Sequence, residues 1–214
     1  MTKKREPRTR NRDESREQIL QAATREFAVG GFDGARVDVI AGSAGLNKQL
    51  IYHYFGSKDE LFTEVLERAY RGIREAEAAL PIQGLRADEA IMKLVEFTWA
   101  YYLANPDFIR LLNSENQLEA RHLKTSPNTK VINESHRDLL GQLIRRGKKE
   151  GSLRGDLDAT QLSINIAALA FFYLMNRHTL SVVFTRDLGS RASLSERLAV
   201  MKDVILRWIQ PAKN

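Results

Sequence analysis

Apolar residues recur at helical spacing along almost the whole chain, and no segment alternates apolar and polar residues between hairpin turns. A first helix is predicted from near Asp13 or Ser15, with Ser15 and Gln18 as a capping box. Its core stripe is Ile19, Ala23 and Phe27, with Leu20 and Ala28 alongside, and Gly30-Gly31 closes it. Two short helices follow. Residues 36–43 turn Val37, Ile40 and Ala41 inward, and an Asn47-capped helix through Tyr54 has Ile51 and Phe55 at the spacing of a buried face. Ser57-Lys58-Asp59-Glu60 reads as a capping box, with the Ser57 hydroxyl taking the backbone N–H of Glu60 and the Glu60 side chain reaching back. It opens a long helix with Leu61, Phe62, Val65, Leu66 and Ala69 inward, ended by Pro81 and Gly84. Later helices are predicted near 87–104, 107–122, 128–149, 158–184 and 194–209, punctuated by Asn105-Pro106, Ser126-Pro127, Gly151, Gly155 and Gly189-Ser190.

The predicted fold is therefore all-α, with about nine helices. A basic, flexible arm (1–12) precedes a three-helix domain (13–60) and a larger C-terminal helical domain (61–214).

Composition narrows the class. Of 214 residues, 43% are hydrophobic and 28% charged, the balance of a chain that builds a core. There is no cysteine, which excludes disulfides, thiol catalysis and thiolate metal sites. The densest apolar run, Ile164 to Met175, is interrupted by Asn165 and is too short to span a bilayer, and no hydrophobic segment follows the basic N-terminus. A cytoplasmic protein without a membrane partner is expected. The net charge of +6 is concentrated at one end: residues 1–12 carry Lys3, Lys4, Arg5, Arg8, Arg10 and Arg12 against Glu6 alone. Such an arm suits a solubilising tail and a phosphate-contacting arm equally well.

The informative stretch runs from Val37 to Leu61. Two short helices joined by Ala44-Gly45-Leu46 have the lengths and glycine-containing turn of a helix-turn-helix. Val37, Ile40, Ala41, Leu46 and Ile51 supply the apolar interior that fixes the helix crossing. Asn47, Lys48, Gln49, Leu50 and His53 give the second helix an outer face able to enter a major groove about 12 Å wide. Periodicity alone fits a tight helical hairpin just as well.

The wider pattern decides between them. Phe27, Gly31-Phe32, Ile40-Ala41, Ala44-Gly45-Leu46, Tyr52 to Phe55 and Ser57-Lys58-Asp59-Glu60-Leu61 stand in one order at fixed spacings. Over residues 15–65 the chain closely resembles the DNA-binding domain of the TetR family of regulators. Farther along, the resemblance is looser, resting on helix count and on Gly151-x-Leu153-Arg154-x-Asp156-x-Asp158 before a long apolar helix. It implies that residues 47–53 form the exposed recognition face, that the Tyr52 and Tyr54 hydroxyls bond phosphate oxygens, and that Lys58 meets a phosphate at the positive end of the long helix. Three departures matter. Asn47 replaces the frequent Ser; Gln49 and Leu50, suited to an adenine edge and a thymine methyl, replace smaller residues; and Ala35-Arg36 stands where a hydroxyl cap is common, leaving Arg36 to take over that phosphate contact.

A single recognition helix covers few base pairs, so the resemblance also implies a homodimer on double-stranded DNA, formed through residues about 158–184 and 194–209. Residues 162–175 are apolar on most faces, and Leu194, Leu198, Met201, Ile205 and Trp208 form a stripe. A small-molecule effector is expected between the middle helices, with Trp99, Tyr102, Asn113, Asn116, Gln117 and Asn176 as candidate wall residues. Its binding would rotate the long helix and move the paired recognition helices out of register with the DNA.

No enzyme, cofactor or metal is expected. His53, His122, His136 and His178 form no metal-binding pair, and there is neither a glycine-rich phosphate loop nor a G-x-S-x-G motif. The competing readings are a helical protein-interaction module and a non-specific DNA-coating protein. Residues alone leave open the operator, the effector, and repression against activation.

Overall fold

A computed structural model describes residues 7–211, with side chains from Arg12. Eleven helices and no strands occur among them. In chain order they are α1 (Pro7–Gly34), α2 (Val37–Ser43), α3 (Lys48–Phe55), α4 (Lys58–Ala78), α5 (Ala87–Ala104), α6 (Pro106–Gln117), α7 (Arg121–Thr125), α8 (Thr129–Ile132), α9 (Glu134–Glu150), α10 (Ala159–Val183) and α11 (Arg191–Ile209).

The expected basic arm lies partly outside the described residues. From Pro7 onward the chain is already helical, so Ser15 is a buried position inside α1 rather than its cap. Gly31 breaks α1 with φ 65°, a left-handed conformation that a side chain would strain. The other differences in helix count arise where local backbone overrides periodicity. Glu119 and Ala120 both adopt positive φ, splitting the expected helix at 107–122 into α6 and α7. Asn133 separates α8 from α9.

The chain packs as two units. The first comprises residues 1–70 and 107–129, the second 71–106 and 130–214. This differs from the expected boundary at 60: the first turns of α4 belong with the N-terminal helices, and α6 and α7 join them as well. The reason is burial. Leu61, Phe62, Val65 and Leu66 of α4 and Leu111 of α6 share one core with Ile19, Phe27, Ile40 and Ile51. Phe27, Phe32 and Phe62 meet at its centre with ring centroids 4.8–6.3 Å apart. The Ser114 hydroxyl accepts the Phe32 N–H at 3.0 Å, fixing the chain just beyond the Gly31 break.

In the second unit α5 packs against α9, α10 and α11. Ile91, Leu94, Val95, Leu140, Leu162, Ile166, Met201 and Ile205 are buried there. A β-carbon at Gly147 would collide with the side chains of Leu153 and Ala87, so glycine permits the close approach of α9 to the start of α5. Helix α10 buries Leu162, Ile166, Ala170 and Leu174 at steps of four, while Ile164 and Phe172 on its other side are exposed. At 25 residues α10 outruns the apolar run seen in the sequence and is long and apolar enough to cross a membrane; the share of it buried is small.

Candidate nucleic-acid interface

Helices α2 and α3 are set by their interior side. Val37, Ile40 and Ala41 of α2 and Ile51 and Phe55 of α3 are buried in the first unit's core. Between the helices the Ala44 and Leu46 N–H groups donate to Ile40 and Ala41 carbonyls at 2.9 and 3.0 Å, and Gly45 takes φ 66°. This turn satisfies the carbonyls at the end of α2 and reverses the chain in three residues. The Asn47 side-chain oxygen accepts the Leu50 N–H at 2.9 Å and so starts α3 as the sequence predicts.

With Ile51 and Phe55 inward, Asn47, Lys48, Gln49, Tyr52 and His53 lie exposed on one helix, Tyr52 at 42%. Leu50 and Tyr54 are half-buried. The Arg12 guanidinium lies over the Tyr54 ring at 5.8 Å, and the His53 and Tyr54 rings meet at 5.6 Å. Arg16 similarly covers Phe55 at 5.3 Å and also pairs with Glu64.

Lys58 is half-buried, its ammonium 4.8 Å from the Phe32 ring centroid. At the head of α4 the Ser57 hydroxyl accepts the Glu60 N–H at 3.1 Å. Only this half of the predicted capping box forms as expected, because the Ser57 N–H donates to the Phe55 carbonyl at 2.9 Å. Arg36 precedes α2 exposed and makes no side-chain cap. Its backbone N–H donates instead to Glu26 at 3.0 Å.

Two features of this surface were not read from the sequence. Lys48 is paired with Asp38 across the turn at 2.9 Å, which holds the Asp38 carboxyl below its ordinary range and raises the Lys48 ammonium above its own. No periodicity marks that pairing, since it depends on how α2 crosses α3. The second is a polar cluster behind the start of α4. Glu115, 2% exposed, accepts the backbone N–H groups of His122 and Leu123 at 2.7 and 2.9 Å, and meets His122 Nδ1 at 2.7 Å. His122 Nε2 faces Asp59 at 3.3 Å, and the imidazole packs on Phe32 and Phe62. Asp59 also takes a hydrogen bond from Arg121.

The six candidate effector-wall residues divide between the two units. Asn113, Asn116 and Gln117 lie on α6 in the first unit, where the Asn116 side chain donates to the Leu112 carbonyl. Trp99, Tyr102 and Asn176 lie in the second unit. There Trp99 is buried against the Tyr173 ring, and Asn176 donates to the Phe172 carbonyl. Tyr102 lines a small chamber in that unit, together with Arg74, Glu77, His136 and Ser163. Asn and Gln in helices often bond their own carbonyls, a choice that composition does not reveal.

Comparison with known proteins agrees with the geometry. Residues 19–65 match the family model of bacterial regulatory proteins of the tetR family, and residues 88–205 match the tetracyclin repressor-like C-terminal domain. The HTH-type transcriptional repressor NicS of Pseudomonas putida is 35% identical over 209 residues, covering 98% of this chain and 99% of that protein. The HTH-type transcriptional repressor SCO4008 of Streptomyces coelicolor is 38% identical over 103 residues, 48% of this chain and 50% of that one. Among solved structures, a TetR transcriptional regulator from Chloroflexus aurantiacus superposes with a TM-score of 0.72 at 21% identity, over 95% of this chain and 100% of that chain. The chain thus belongs to the TetR family, non-enzymatic bacterial transcription regulators that bind DNA through an N-terminal helix-turn-helix.

Proposed function

We propose that the protein is an effector-responsive transcriptional repressor of the cytoplasm that binds a palindromic operator as a homodimer. The observation that carries this reading is α3: Ile51 and Phe55 anchor it, and Asn47, Lys48, Gln49, Tyr52 and His53 are exposed on the face that would enter a major groove. Gln49 and Leu50 read base edges, an adenine and a thymine methyl. Tyr52, Tyr54, Lys58 and Arg36 hold the phosphates on either side.

Dimerisation is supported by the apolar surface that α10 and α11 leave uncovered. Ile164, Phe172, Val200 and Val204 are all exposed, more than isolated surface apolar residues account for. Pairing of this face between two copies gives a four-helix contact and two recognition helices about one DNA turn, roughly 34–36 Å, apart. An effector taken up in the second unit acts through α4, whose Arg74 and Glu77 line the chamber beside Tyr102 and whose first residue is Lys58.

Selection of bound duplexes from a random library tests the reading. A palindrome with half-sites one turn apart is expected, and replacing Lys48 and Tyr52 by Ala should abolish the selection. Enrichment without symmetry, or equal binding to all duplexes with steep salt dependence, overturns it. Phe172→Asp with Val204→Asp should shift the sedimentation mass from dimer to monomer.

A further inference from the structure

Resting on the effector reading above, the inside of the second unit indicates what kind of molecule it takes. Two cavities meet at Arg74 and Glu77 of α4. The larger has a volume of about 320 Å³ and apolar walls from Leu80, Ile82 and Leu139; the smaller, of about 40 Å³, is lined by Glu77, His136 and Ser163 among others. The larger volume is that of a site for a small molecule.

Where the cavities meet, four side chains form a relay. Arg74 Nη1 donates to Glu77 Oε2 at 2.9 Å, His136 Nδ1 meets Glu77 at 2.8 Å, and His136 Nε2 meets the Ser163 hydroxyl at 2.8 Å. Glu77 is 6% exposed and Arg74 14%. The pairing uses one side of the guanidinium, and Arg74 Nε is buried without a hydrogen-bond partner. A buried donor left unmade is costly, and a guanidinium's remaining edge is shaped for a carboxylate.

We propose that this cavity takes a small monocarboxylate, held by the unpartnered Nε edge of Arg74 while Glu77, fixed by His136 and Ser163, keeps the guanidinium in place. The other ionisable groups lining these cavities are Tyr102 from α5 and Asp138 from α9, with none from α10. Because Arg74 sits on α4, a carboxylate held there bears on the helix that begins at Lys58.

The test is calorimetric titration of the full-length protein with benzoate, cyclohexanecarboxylate and hexanoate, each beside its uncharged amide. At least one of the acids should bind ten-fold or more tightly than its amide. Arg74→Gln should lose that ten-fold preference and Arg74→Lys retain part of it. Melting curves establish that each variant is folded. Amides binding as well as acids, no binding by any acid, or the preference persisting in Arg74→Gln overturns the proposal. Operator binding by the unliganded protein, measured in parallel, separates this failure from failure of the regulator reading.

Discussion

Removing the Glu115 carboxylate should destabilise the DNA-binding unit more than any surface change in it. In Glu115→Ala the backbone N–H groups of His122 and Leu123 lose their acceptor, and His122 loses its 2.7 Å partner in a setting where both side chains are almost fully buried. Stranding a buried donor costs about 1–3 kcal/mol, and breaking a buried pair about 3–5 kcal/mol. The expected loss is about 3–5 kcal/mol, a large part of the stability of a typical domain. Both backbone donors converge on the same oxygen, Oε1, so Glu115→Gln retains that acceptor and should cost only about 1 kcal/mol. The assay is urea unfolding followed by amide hydrogen exchange in α2, α3 and α6. Tryptophan emission is unsuitable because Trp99 and Trp208 both lie in the second unit. Finding Glu115→Ala within about 1 kcal/mol of wild type, or Glu115→Gln equally damaged, would refute the reasoning.

Asn47→Ala removes the 2.9 Å cap on α3 and should cost about 1 kcal/mol in thermal unfolding, weakening operator binding several-fold; Asn47→Ser should recover both. Asp38→Asn frees Lys48 from its 2.9 Å pairing, and the salt dependence of DNA binding should steepen by about 0.9 per half-site, whereas an unchanged slope means Lys48 meets no phosphate. Glu17 is held below its ordinary value near 4.5, chiefly by the hydrogen bonds from Arg68. A carboxyl lowered by folding adds stability that is complete above its unfolded value and is lost as pH falls through its folded one. Glu17→Gln should therefore flatten the loss of stability below about pH 4.5, seen in urea midpoints taken across the acid range.

The sequence by itself determined the all-α class, the tight turn at Gly45 and the cap at Asn47, while the resemblance to a family singled out the helix-turn-helix. Each of these is local: a period of 3.6, a glycine at positive φ and a side chain bonding three residues ahead are complete within a few turns of chain. It also marked residues 162–175 of α10 as apolar on most faces and gave α11 one apolar stripe. Tertiary structure alone decided which helices share a core, moving α6 and α7 into the DNA-binding unit because Leu111, Ser114 and Glu115 are buried there. It likewise decided the polar clusters. Glu77, His136 and Ser163 lie far apart in sequence, as do Asp59 and His122, and nothing in the spacing of single polar residues says which will meet. Buried polar groups must find partners, but their choice depends on how the helices cross, a property that no single helix possesses.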